Sequence, residues 1–124
     1  MTSRAFAKEL AAALAASLPD GFTASADGDM VTIETPDGTG VSTALDVEAD
    51  DLGDLDVYAD AAEGVLSLAQ DVVCEALDAT WPGTGDRAVD LPIPGARADD
   101  GIVHLWFGDE DAPVLQLKPI ALVS

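Results

Sequence analysis

Positive charge is what this chain has least of. Five Lys and Arg stand against 24 Asp and Glu, a formal net charge of −19, and no Lys or Arg occurs between residues 9 and 86. Such a surface repels a phosphate backbone or an anionic bilayer, which argues against nucleic-acid and membrane-surface binding. A single cysteine, Cys74, excludes an intramolecular disulfide and fits a reducing compartment. Its neighbours are acidic or apolar, so no cation stabilises a thiolate, and it reads as a small buried apolar side chain. A single histidine, His104, leaves no Cys/His spacing for zinc. A Gly-rich phosphate loop with its lysine and a G-x-S-x-G elbow are likewise missing. No apolar run approaches membrane-spanning length. The N-terminal Arg4 and Lys8 precede an Ala-rich run, but Glu9 interrupts them and AAALAAS is weakly apolar, unlike a signal peptide. The expectation is a soluble, cytoplasmic protein.

Three causes fit the acidity: solubility, adaptation to a salty cytoplasm, or a basic or amphipathic partner that the surface steers in. Acidic clusters at Asp50, Asp51, Asp54 and Asp56, and at Asp109, Glu110 and Asp111, lack the alternating ligands, central Gly and terminal Glu of a calcium loop. With 24 carboxylates available, no pair of them identifies a catalytic dyad. No metal or cofactor site is expected.

What is present is architecture. A chain of 124 residues that is 48 % hydrophobic is one domain with a packed core. From Asp54 to Trp81, apolar residues recur at three-and-four spacing: Leu55, Tyr58, Ala62, Val65, Leu66, Ala69, Val72, Val73, Ala76 and Leu77. Asp56, Asp60, Glu63, Gln70, Asp71, Glu75 and Asp78 mostly fill the other arc. Asp54 suits the cap and Pro82-Gly83 the stop, giving one long helix, with Trp81 plugging its end. An earlier amphipathic stripe, Phe6, Leu10, Leu14 and Leu18, predicts a shorter helix that ends at Pro19.

Between the helices, alternation predicts three strands: Phe22–Ala26, then Val31 and Ile33, then Val41 to Val47. Turns at Asp27-Gly28 and Pro36-Asp37-Gly38 join them into an antiparallel meander with one wet face. The long helix, next in sequence, is expected to roof the dry face. The Pro-rich stretch 82–100 reads as a long connection with a short edge strand at Ala88–Leu91. Two strands, Ile102–Phe107 and Val114–Lys118 or beyond, then close an α+β fold as a C-terminal hairpin.

The strand Ile102–Phe107 is the unusual one. Its two faces, Val103/Leu105/Phe107 and Ile102/His104/Trp106, are both apolar or aromatic. Either the Pro-rich connection covers the second face, or a partner does, a second copy being the commonest occupant. Ile102, His104 and Trp106 are therefore the candidate interface, with Trp106 its anchor. Asp109 or Glu110 across the turn is in principle a carboxylate partner for His104. The favoured reading is a non-enzymatic acidic domain that binds a polypeptide and forms a homodimer. The alternative is a small-ligand binder or enzyme with a pocket between the sheet and the connection 82–100, lined by Arg97, His104 and Trp106.

The element order, Phe6–Leu18, the meander Phe22–Val47, the helix Asp54–Trp81 and strands Ile102–Phe107 and Val114–Lys118, in a small and strongly acidic chain, resembles the type III secretion chaperone-like fold. The resemblance spans most of the chain as a pattern of elements rather than a motif, and a C-terminal third helix is lacking. It implies a non-enzymatic homodimer whose surface holds an extended segment of a client, and it assigns no client-binding residue.

Overall fold

The computed structural model describes residues 3–45, 56–77, 81 and 92–121. Its elements run α1 (Ser3–Ala15), β1 (Thr23–Asp27), β2 (Met30–Glu34), β3 (Gly40–Ala44), α2 (Asp56–Leu77), β4 (Pro94–Asp99), β5 (Ile102–Gly108), β6 (Pro113–Gln116) and β7 (Ile120–Ala121). They form an α+β fold with two antiparallel sheets. One has the order β1-β2-β3; the other sets β4 on one side of β5 and both β6 and β7 on the opposite side.

The meander forms where the alternation placed it. Val31 and Ile33 are fully buried and pair with Ala26 and Ala24 on one side and with Thr43 and Val41 on the other. Gly28 takes a positive φ of 64° at the first central position of the Asp27–Met30 turn, which a glycine allows without strain. The expected continuation of β3 to Val47 lies outside the described residues.

The roof over the meander is not the one expected. α1 covers β1 and β2, sinking Phe6, Leu10 and Leu14 completely, while α2 packs mainly on β4 and β5 and meets the meander chiefly at β2. The reason lies in lengths. At 1.5 Å per residue the 13 residues of α1 span about 20 Å, enough to cross five-residue strands. The 22 residues of α2 are then free to serve the second sheet. α2 is unbroken from Asp56 to Leu77, and Phe6 meets Tyr58 edge-on at 5.1 Å, joining the two helices. The proposed cap at Asp54, the stop at Pro82-Gly83 and the edge strand Ala88–Leu91 fall outside the described residues.

The C-terminal hairpin is also larger than expected. Four strands stand where two were read, because Pro94–Asp99 (PGARAD) pairs along the whole of β5, from Pro94–Phe107 to Asp99–Ile102. The final strand is broken as well. β6 bonds β5 through Trp106–Gln116, Pro119 interrupts, and β7 rejoins β5 at Val103–Ile120 with one extra residue accommodated between. On the inner face Val103, Leu105 and Phe107 are fully buried, with Ala96 and Ala98 packed against the same core. Small residues in β4 let the backbone of α2 approach the sheet closely.

Candidate functional site

β5 presents its outer side chains in a row. Ile102, His104 and Trp106 all remain partly exposed, opposite a completely buried inner face. The register sets Arg97 beside His104 and Gly95 beside Trp106, so the three residues suggested as a pocket lining do share one face. They share it as an open surface. Arg97 extends to Glu110 at 3.2 Å, and both side chains are about half exposed. Of the two carboxylates considered for His104, Asp109 and Glu110, the second is thus engaged by the guanidinium instead. No hydrogen bond or ion pair reaches the His104 imidazole among the described residues.

Trp106 has a second role that strand alternation did not reveal. A Cβ built on Gly95 would stand 2.6–2.8 Å from three atoms of the indole. The ring therefore lies directly over the glycine backbone of β4, covering a position where no side chain shields the sheet. Gly95 is read as a loop glycine from sequence; only the β4–β5 register discloses its task.

Gln70 was missed for a different reason. Expected on the wet arc of the long helix, it is the one polar side chain in the buried set among the described residues, 4 % exposed, and its Nε2 donates to the carbonyl of Pro92. That bond ties α2 to the segment entering β4 and satisfies a half-buried backbone acceptor. Cys74 is buried as expected, its thiol donating to the Trp81 carbonyl at 3.5 Å. Trp81 itself is buried beyond the end of α2 and meets Phe107 edge-on at 5.2 Å.

Other surfaces are concave. A cleft of about 510 Å³ opens between the β2–β3 turn and the C-terminal part of α2, lined by Thr35, Pro36, Asp37, Thr39 and Val41 on one side and Val72, Glu75 and Ala76 on the other. A second, of about 430 Å³, lies farther along the same two elements, between Thr43, Ala44 and Leu45 and the stretch Asp60, Ala61, Gly64 and Val65. The chemistry available there is carboxylates and hydroxyls on an apolar floor. No group of three or more His, Cys, Asp or Glu suited to a metal ion occurs among the described residues, and no helix of the described chain is long and apolar enough to cross a membrane.

Asp37 is committed to its turn. Its carboxylate accepts from the Thr35 hydroxyl and, at 3.0 Å, from the Thr39 backbone N–H. These bonds favour the charged form and hold the carboxyl below its ordinary range, the Thr35 bond contributing most. A lowered folded pKa means stability that is present above the unfolded pKa and is lost as pH falls through the folded value. Asp37→Asn keeps the acceptor geometry but not the charge. The expected result is a small melting-temperature deficit at neutral pH that closes as the wild type is acidified below its ordinary carboxyl range. A deficit independent of pH would mean that the charge is not what holds the turn.

No family model matches the chain, and no curated protein or solved structure shows a significant match to it.

Proposed function

We propose that this chain is a non-enzymatic interaction domain that pairs with a second copy of itself through the outer face of β4–β5–β6 and holds a polypeptide partner. The observation that carries the reading is the partly exposed row Ile102, His104 and Trp106. The outer positions of β1 to β3 are small, polar or charged except for Met30, whereas this face is apolar and aromatic. Its charges are few: Arg97 with its partner Glu110, and Asp99. For two bodies of net charge −19, contact is least costly where the charge is sparsest. A homodimer that holds a polypeptide is also what the resemblance to secretion chaperones implies.

Sedimentation velocity tests it. The wild type is expected to run as a dimer at micromolar concentration. Ile102→Glu and His104→Glu, each setting a carboxylate against its like across the contact, should weaken association by about a hundredfold with an unchanged far-ultraviolet spectrum. A wild type monomeric up to millimolar concentration, or variants that associate as the wild type does, would overturn the proposal.

A further inference from the structure

Among the described residues, β3 has one open edge. Its only strand partner among the described residues is β2. Bonds at both ends fix the phase of that ladder: Thr35 N–H donates to the Thr39 carbonyl at 2.9 Å, and Leu45 N–H to the Asp29 carbonyl at 2.8 Å. Antiparallel pairs alternate, so the backbone groups of Gly40, Ser42 and Ala44 point away from β2, toward the open side. α2 stands off β3 here, and the inward side chains Val41 and Thr43 are only half-buried. The two clefts described above both lie in this gap, lined by β3 and its flanking turns on one side and α2 on the other.

Gly64 sharpens the point. It sits in the middle of α2, where glycine is less favourable than alanine. A Cβ placed there would meet nothing within 4 Å. The exposed glycine is thus not required by any contact within the described fold, and the open space it leaves borders the cleft beside Thr43, Ala44 and Leu45 as well as a shallower hollow beside Ser67, Ile93 and Pro94. A missing side chain with room to spare is what close approach by another backbone needs.

Charge selects the occupant. The groove has an apolar floor, with Val41 and Val72 half-buried, and a rim carrying Asp37, Asp60 and Glu75, with no Lys or Arg among its lining residues. The whole chain adds a field of net −19 that draws cations and repels anions. We propose that the groove between β3 and α2 takes an extended basic segment of a partner polypeptide, added as a further strand to the edge of β3 and passing over the hollow at Gly64. Main-chain bonds to Gly40, Ser42 and Ala44 supply affinity. Alternate side chains of the segment reach the floor, and its Lys or Arg residues reach the rim. The inference rests on reading the chain as an interaction domain, but not on the dimer contact, which lies on the other sheet.

The test uses a fluorescent peptide of about six residues alternating lysine and valine, the length of an ordinary strand, with fluorescence anisotropy as the readout. The wild type should bind it and ignore the same peptide with glutamate in place of lysine. Gly64→Leu leaves the charge unchanged, improves helix propensity and fills the hollow. It should melt no lower than the wild type yet bind about tenfold more weakly or worse. Ser42→Pro removes one outward N–H at an edge position that tolerates proline and should lose binding to a similar degree. Equal binding by wild type and Gly64→Leu would show attraction to the acidic surface at large and overturn the proposal, as would binding of the glutamate peptide. A changed association state in Gly64→Leu would place a second copy in the groove and overturn it too. Measuring the peptide on Ile102→Glu separates this outcome from failure of the dimer contact.

Discussion

Phe107→Ala is expected to cost about 3–5 kcal/mol, the range for emptying a buried aromatic site. Phe107 has no exposed surface. It sits at the end of β5 where Pro94 flanks it on one side and Leu115 on the other, so its cavity would have sheet on both flanks and could not collapse. It also forms the edge-on contact with Trp81, a geometry worth about 0.5–1.5 kcal/mol beyond area. A domain of this size has about 5–15 kcal/mol in total. The variant should therefore melt roughly 10–20 °C lower, and Phe107→Leu, which refills most of the volume, should recover more than half of the loss. Urea titration gives the free energies directly. A loss below about 1 kcal/mol would mean that β5 is not the centre of the core. The cycle with Trp81→Ala separates the ring contact from the cavity, because only the former appears as coupling.

That same strand shows what the sequence could and could not reveal. The inner and outer sets of β5 were legible because alternation alone assigns faces, and the structure keeps both. The meander was legible for the same reason, with Asp27-Gly28 and Pro36-Asp37-Gly38 fixing its turns. β4 was not, because Pro, Gly, Ala, Arg and Asp carry almost no strand propensity. Its pairing is imposed by the long, strongly apolar neighbour. One local signal was available: Asp100 and Gly101 lie between the paired Asp99 and Ile102, with φ of 53° and 75°. A two-residue Asp-Gly loop of this kind is among the strongest hairpin signals a sequence carries.

The assignment of α2 to the wrong sheet has another origin. Period and stripe show that a helix has a buried face without saying what covers it, and adjacency in sequence suggested the meander. α1 had already filled that place with Phe6, Leu10 and Leu14. Gln70 failed for a related reason. A polar residue at the margin of an apolar stripe looks wet until a backbone carbonyl, here that of Pro92, is brought to meet it. The candidate face Ile102, His104 and Trp106 could be read directly, while the groove between β3 and α2 could not. It arises from two elements packing only loosely against each other, and a sequence does not encode a gap.

Gly95→Ala is expected to lose about 1–3 kcal/mol, although alanine is otherwise the better residue in a strand. The added Cβ would fall 2.6–2.8 Å from the indole of Trp106, closer than carbon atoms approach, so the ring must leave its seat on β4 or the strand must shift. Trp106 is only partly buried, which makes rotation of the ring toward solvent the cheaper response. The sign of the effect should therefore depend on Trp106. In a Trp106→Ala background the clash is gone, and Gly95→Ala should become neutral or stabilising by up to about 1 kcal/mol. Chemical denaturation of the four proteins measures this, and an equal loss in both backgrounds would show that the ring is not what the glycine accommodates. The result bears on how the proposed dimer contact is tested. Because Trp106 shields its own sheet, removing it lowers stability and alters the outer face at once, and a change in association cannot then be assigned to either. Ile102 and His104 stand on the same face opposite Asp99 and Arg97, away from Gly95. Their substitution isolates association from folding, whereas the Gly95→Ala variant should move the ring, and with it any contact the ring makes, without removing a single atom from the face.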